Sequence, residues 1–145
     1  MKKNVIVSIR GLQQAEGFDD ENITLVTEGI FYKKDGRYFV RYDESELTGL
    51  PGAKTTLGIG RDQVSVMRSG AHPFSLVFER RKPHNSIYGT ELGGLTVSVY
   101  THDIVSRMTD RGGSLDVKYA IEVGGAVSAM NHLRVNITEA GGERI

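Results

Sequence analysis

Two arginines that end alternating apolar runs are the residues of this sequence best suited to recognition chemistry. Arg68 follows Val64 and Val66 at every second position, and Arg80 follows Phe78 in the same way, so each arginine shares a strand face with apolar side chains. An arginine that faces a protein interior keeps its charge and must find acceptors, because an unpaired buried charge is very costly. Each arginine could therefore pair with a carboxylate of the protein or with an anionic ligand.

Strand direction suggests which side chains surround each arginine. In an up-and-down arrangement the third, fifth and ninth strands end at the same mouth of a barrel, and Arg80 lies at the opposite end. One interpretation is a structural Arg68–Glu44 pair, with tyrosine hydroxyls filling the mouth. The other is a site for an anionic ligand whose apolar part enters the barrel. The candidate ligand-binding residues are Arg68, Tyr42, Glu44, Tyr119, Arg80 and Tyr38.

The elements that must position these residues are short, alternating and separated by turn residues. With 18 glycines and 3 prolines, the sequence favours strands joined by tight turns over helices. The predicted strands are Asn4–Leu12, Ile23–Lys34, Arg37–Asp43, Lys54–Gly60, the two arms of the hairpin Gln63–Arg81, Ser86–Thr90, Leu95–Met108, Leu115–Val123 and a last strand carrying Leu133, Val135 and Ile137. Nine or ten strands in a meander predict an all-β, antiparallel up-and-down barrel, because closure removes exposed sheet edges.

Local signals refine this prediction. Asp35-Gly36 is a hairpin-turn signature, and Gly29 within a strand indicates a bulge or a close backbone approach. The apolar parity of the eighth strand switches near Thr101–Asp103, which predicts a β-bulge. Lys82–Asn85 is expected to turn the chain, and Gln13–Asn22 is expected to be an exposed loop.

Composition excludes several function classes. The chain has no cysteine, so disulfides, thiolate metal sites and cysteine nucleophiles are ruled out. Its 18 basic and 18 acidic residues give zero net charge, which offers no support for a nucleic-acid surface. The 145 residues are expected to form one domain over positions 1–145. No apolar run is long enough for a signal peptide or a membrane span, so a cytoplasmic protein without membrane association is expected.

No motif for catalysis or metal binding is legible. The single histidines lack the close spacing of a zinc site on one element; they are His72, His84, His102 and His132. Ser69 is not within a nucleophile elbow, and Gly58-Ile59-Gly60 is only half of a dinucleotide fingerprint. We therefore predict no catalytic residue, no metal site and no cofactor, and we favour a non-enzymatic function over an enzymatic one.

Several segments together resemble a known bacterial family, the YwiB-like family of small β-barrel proteins. They follow the family order along nearly the whole chain: Gly29–Tyr32, Val40–Glu44, Val66–Gly70, Gly94-Leu95, Leu115–Tyr119 and Asn131–Glu139. The resemblance implies a calycin fold, the lipocalin-like meander barrel of about eight to ten strands. The family has no established activity, ligand or catalytic residue, so the resemblance implies no function.

Two function hypotheses remain open. The first is non-catalytic binding of a small anionic or amphipathic molecule in the barrel, because barrels of this size can enclose one ligand. The alternative is a structural or protein–protein interaction module whose barrel is filled with side chains. Apolar side chains on the outward parity also predict a homodimer; they are Ile6, Val26, Ile30, Tyr32 and Phe39.

Overall fold

A computed structural model describes residues 2–14, 21–43, 52–70, 73–90, 93–123 and 126–140, and all regular structure within those ranges is β-strand. The strands are β1 (Lys2–Gln14), β2 (Glu21–Lys34), β3 (Arg37–Asp43), β4 (Lys54–Ile59), β5 (Gln63–Ser69), β6 (Phe74–Glu79), β7 (Pro83–Thr90), β8 (Gly93–Thr109), β9 (Gly112–Val123) and β10 (Ala126–Glu139). The all-β prediction is confirmed. The described ranges contain no helix of the length and apolarity needed to cross a membrane.

The strands form one antiparallel sheet that curls into a nearly closed barrel. The strand order is β6-β5-β4-β3-β2-β1-β10-β9-β8-β7, so each strand pairs with its sequence neighbours and β1 also pairs with β10. Arg80, just after the end of β6, forms an isolated parallel bridge with Thr101 of β8. The Arg81 amide also donates to the Thr101 carbonyl at 2.7 Å. This contact holds the end of β6, one edge strand of the sheet, next to β8, the neighbour of the other edge strand, β7.

The meander gives the barrel two ends, which we name after the arginine at each. The Arg80 end carries the connections β2–β3, β4–β5, β6–β7 and β8–β9, and the Arg68 end carries the other five. Apolar side chains on the inward parity fill the middle as one core; its fully buried members are Val5, Val7, Phe31, Val40, Leu57, Ile59, Val64, Phe78, Val99, Ile104, Leu115, Val117, Val135 and Ile137. Burying each such side chain contributes about 1.5–3 kcal/mol.

Three local predictions are confirmed. Asp35 and Gly36 both have positive φ, 52° and 77°, as a type I′ hairpin turn requires. The register between β8 and β9 shifts between Thr101 and Asp103, so the predicted bulge is present. Gly29 is a site of close approach, because a Cβ there would lie 3.0 Å from the Arg41 carbonyl oxygen.

One predicted turn lies elsewhere, and one predicted loop is shorter. The chain reverses at Arg81, whose φ is +61°, so His84 and Asn85 belong to β7 instead of to a turn at Lys82–Asn85. The amide hydrogen bond from Arg81 to Thr101 holds this uncommon backbone conformation in a residue other than glycine. Strands β1 and β2 extend into both margins of the predicted Gln13–Asn22 loop, and its middle lies outside the described residues.

Candidate functional site

The inward row that contains Arg68 crosses four neighbouring strands at the Arg68 end. Thr55 pairs with Tyr42 on one side and with Arg68 on the other, and Arg68 pairs with Phe74. Tyr42 and Thr55 are only 8% and 3% exposed, whereas Arg68 and Phe74 are half-buried. Strands lie about 4.8 Å apart, so Arg68 and Tyr42 have backbones about 10 Å apart on one face. The register therefore places Arg68 and Tyr42 on one inward row at the Arg68 end, as the sequence analysis predicted.

The Arg68 side chain is held by an aromatic ring and has unused hydrogen-bonding capacity. Its guanidinium carbon lies 4.3 Å from the centroid of the Phe74 ring, a cation–π contact. Its Nε is buried and has no hydrogen-bond partner among the described residues. A buried donor left unpaired costs about 1–3 kcal/mol, so this position favours an added acceptor. Glu44, the predicted partner, lies outside the described residues, and the Arg68–Glu44 pair remains a prediction.

Half-buried apolar side chains lie between this row and the filled core. They occupy inward positions on both halves of the barrel and pack against the core from the Arg68 end; we call them the apolar cup, and they are Ile9, Val66, Leu76, Val97 and Leu133. The inward side chains just below them are fully buried. The interior therefore changes from a dry core to a partly accessible apolar surface as it approaches Arg68.

A second inward polar row crosses β8, β9 and β10. Tyr119 pairs with Thr101 on one side and with Asn131 on the other. The Thr101 Oγ1 and Asn131 Nδ2 atoms are buried without a hydrogen-bond partner among the described residues. Burial raises the pKa of the Tyr119 hydroxyl above its ordinary value, so Tyr119 is a neutral donor at physiological pH.

The Tyr119 ring packs against the core residue Phe78. Its ring centroid lies 4.7 Å from that of Phe78, which stands four residues beyond Phe74 along β6. At about 3.4 Å per residue, the backbones of Phe74 and Phe78 are about 13 Å apart. Parity alone placed Tyr119 inside the barrel, but the tilt of barrel strands, which sets its height, does not follow from parity.

The Arg80 end is occupied by bonds within the protein. Arg80 donates to the Ile104 carbonyl oxygen, and its guanidinium lies 3.3 Å from an Asp103 oxygen and 3.8 Å from an Asp62 oxygen. Tyr38 lies at the same end, as the topology predicted. Its hydroxyl donates to Asp110 at 2.7 Å. Both side chains are thus already engaged by groups of the protein, whereas ligand binding by Arg80 and Tyr38 remains a prediction.

The hydrogen bond between Tyr38 and Asp110 also shifts both ionisations. It lowers the pKa of the Asp110 carboxyl below its ordinary value, and Lys33, 3.9 Å away, adds to this effect. The same hydrogen bond raises the pKa of the Tyr38 hydroxyl. Both shifts strengthen the bond near neutral pH, because the donor keeps its proton and the acceptor keeps its charge.

A groove on the outer wall was missed by the sequence analysis. It holds about 290 Å³ and is lined by outward residues of β8, β9 and β10. At its centre Asp116 accepts hydrogen bonds from Arg134 at 2.9 Å and His132 at 3.0 Å. Although partial burial raises the pKa of Asp116, these two bonds outweigh it and lower the pKa below its ordinary value. Alternation of charged residues at 116, 118, 132 and 134 was the available signal.

The outer groove does not resemble a catalytic or metal centre. Its carboxylate is already satisfied by two donors, and His132 forms one pair with it. Across the described residues no three side chains of the metal-ligating types converge as a metal site requires. The Arg68 row is therefore the stronger candidate site.

Comparison with known proteins agrees with this architecture. The model of a domain of unknown function, DUF1934, matches residues 7–135. A curated relative, the "Uncharacterized beta-barrel protein YwiB" of Bacillus subtilis, is 25% identical over 138 residues, which cover 95% of this chain and 94% of the relative. The crystal structure of the ywiB protein from Bacillus subtilis superposes with a TM-score of 0.84 at 20% identity, over 96% of this chain and 93% of that one. The ten-stranded antiparallel barrel therefore matches a solved fold.

Proposed function

The chain belongs to the DUF1934 family, and from that premise we propose that it is a non-catalytic binding protein for a small amphipathic anion. The anionic group is bound by Arg68 at the mouth of the barrel, and the apolar part lies in the apolar cup. This assigns to the barrel the use that lipocalin-like barrels make of their interior. The observation that carries the proposal is the buried, unpartnered Nε of Arg68 above half-buried apolar side chains.

The chemistry of the mouth suits such a ligand. Arg68 cannot lose its charge, so a carboxylate or phosphate would supply the acceptor that its Nε lacks. The Phe74 ring limits the movement of the guanidinium, which reduces the entropy lost on binding. The cup beneath would take an alkyl or ring system out of water at about 25 cal/mol per Å² of apolar surface.

Native mass spectrometry of gently purified protein, followed by calorimetric titration with decanoate, tests this proposal. We expect a retained small molecule or a decanoate adduct in the wild-type protein. Arg68→Met keeps an apolar side chain that can contact Phe74 but removes the charge, so the dissociation constant should rise about 10- to 100-fold. Stability of the unliganded protein should change by no more than about 1 kcal/mol, because the substitution removes the cation–π contact with Phe74 but no described hydrogen bond or ion pair.

Arg41→Met is the matched control for this experiment. Arg41 lies on β3, is exposed and points to the outer wall, so its loss should leave decanoate affinity unchanged. Wild-type protein that neither retains a molecule nor binds decanoate would refute the proposal. A loss of several kcal/mol of stability in Arg68→Met would instead support the structural interpretation, in which Arg68 pairs with a carboxylate of the protein.

A second candidate function, a protein-interaction module that forms homodimers, is favoured by the outer wall of β2–β5. Tyr32 stacks on Phe39 with ring centroids 5.3 Å apart, and Gly58 makes room for the Phe39 ring. Met67 is 57% exposed and Val26 is 63% exposed. Sedimentation at tens of micromolar, an order-of-magnitude choice, should show a dimer if these surfaces associate. A Met67→Lys variant should then be monomeric, and a monomeric wild-type protein would exclude this candidate.

A further inference from the structure

Unsatisfied polar atoms occur at two levels of the barrel interior. At the mouth the atom is Nε of Arg68, and at the inner row the atoms are Nδ2 of Asn131 and Oγ1 of Thr101. The two nitrogens are donors only, and the threonine hydroxyl can also donate. Tyr119, between Thr101 and Asn131, adds a fourth donor, a hydroxyl group that stays neutral because burial raises its pKa. A molecule that satisfied both levels would need hydrogen-bond acceptors at both of its ends.

Strand β6 carries a contact with each of these two levels. Phe74 contacts Arg68 and Phe78 contacts Tyr119, and Leu76 is the inward residue between them. Four residues of strand measure about 13 Å. Leu76 belongs to the apolar cup, so the surface between the two levels is apolar. The matching ligand has an extended apolar middle that separates two polar ends.

The two levels differ in charge. The mouth offers a guanidinium, whereas the described inward positions of β8, β9 and β10 carry no lysine or arginine. An anion at the inner row would be desolvated without a counter-charge, which is far more costly than burying a neutral acceptor that is hydrogen-bonded. The end of the ligand at the inner row is therefore neutral.

We propose that the ligand class is an elongated acid whose far end carries a neutral hydrogen-bond acceptor, such as a hydroxyl or a carbonyl group. The acid binds Arg68, the apolar middle lies over Leu76, and the far oxygen accepts from Asn131, with Tyr119 and Thr101 beside it. This inference rests on the proposed binding function and specifies its ligand class.

Titration with three matched probes tests the proposal: decanoate, ω-hydroxydecanoate and decanedioate. In the wild-type protein the terminal hydroxyl should lower the dissociation constant about three- to tenfold relative to decanoate, the effect of one net hydrogen bond. Decanedioate should bind more weakly than ω-hydroxydecanoate, because its second charge has no partner at the inner row. Asn131→Leu should abolish the advantage of the hydroxyl while leaving decanoate affinity unchanged, and Arg68→Met should weaken all three probes.

Controls separate failure of this inference from failure of the proposed function. Asn136→Leu changes an exposed asparagine of the same strand and should keep the wild-type preference. If Asn131→Leu does not fold, Asn131→Ala provides the same comparison. Equal affinity for decanoate and ω-hydroxydecanoate in the wild-type protein, or an unchanged preference in the Asn131 variant, would overturn the inference and leave the binding function standing. Failure of the wild-type protein to bind any of the three probes would overturn both.

Discussion

The two ends of the barrel use the same local sequence pattern for different purposes. Arg68 and Arg80 each continue an inward apolar stripe at an end of the barrel, where Arg68 is half-buried and Arg80 is exposed. Arg80 donates to the Ile104 carbonyl oxygen and forms ion pairs with the carboxylates of Asp103 and Asp62. Arg68 has the Phe74 ring beneath it and a buried Nε with no acceptor among the described residues. One arginine is bound by groups of the barrel wall, and in our proposal the other binds a ligand.

The difference arises from the chain around each arginine. Near Arg80, the turn between β4 and β5 supplies Asp62 and the bulge in β8 supplies Asp103, so two distant segments bring carboxylates to one guanidinium. The Arg68 row instead consists of Tyr42, Thr55 and Phe74, none of which carries a charge. Whether an arginine at the end of an apolar stripe is paired within the protein thus depends on acceptors supplied by distant segments of the sequence.

The largest expected effect is the loss of stability in Arg80→Met. The substitution leaves the Ile104 carbonyl oxygen and the Asp103 carboxylate without this donor, and we expect a loss of about 2 kcal/mol in the free energy of unfolding. Urea unfolding followed by circular dichroism measures it. The comparison of the two ends would fail if Arg80→Met and Arg68→Met lost equal stability; Arg41→Met, at an exposed position, supplies the baseline.

A smaller effect is expected from Tyr38→Phe. The variant loses the 2.7 Å hydrogen bond to Asp110 but keeps the ring stacked on Phe31, whose centroid lies 5.3 Å away. We expect a small but measurable loss of stability, followed by thermal or urea unfolding. Tyr32→Phe, at a stacked position on the outer wall, is the matched control and should be nearly neutral. A neutral Tyr38→Phe would show that the bond contributes nothing to closing the Arg80 end.

The smallest expected effect is a change in the pH dependence of stability when Asp110 is substituted. The Asp110 pKa is lower in the folded protein than in the unfolded chain, so its contribution to stability is complete above the unfolded pKa of about 4 and is lost as the pH falls through the folded pKa. Asp110→Asn should therefore be less stable than the wild-type protein at neutral pH, and the gap should close below about pH 4. Urea unfolding at a series of pH values measures the gap. A gap that persists in strong acid would indicate a role other than charge; Asp43→Asn, an exposed change, is the control.

Much of the fold could be predicted because it follows from local patterns. Alternation defined the ten strands, the parity switch located the bulge near Thr101–Asp103, and Asp35-Gly36 indicated its turn type. The turn at Arg81 was misplaced because its positive φ depends on a hydrogen bond to Thr101, twenty positions along the chain. Such a contact leaves no trace in the local sequence.

The candidate site could be predicted only in part, for a related reason. Parity correctly placed Arg68 and Tyr42 on one inward row, but the height of Tyr119 depends on how far neighbouring strands are displaced around the barrel. The carboxylates that occupy Arg80 depend on the same displacement. The Thr101–Tyr119–Asn131 row was not predicted, although each residue falls on the inward parity, because its importance lies in hydrogen bonds that are missing.

The margin between β6 and β7 is the place where the two edges of the sheet meet with few backbone bridges. Among the described residues, one bridge between Glu79 and Lys82 joins these strands at the Arg80 end. Farther towards Arg68 the Ser86 hydroxyl donates to the Ser75 carbonyl oxygen. Each pair of neighbours in the sheet order is instead joined by a ladder of at least five residue pairs. We therefore expect this margin, beside Phe74 and Leu76, to be the part of the barrel wall that separates most readily, because it has the fewest backbone hydrogen bonds.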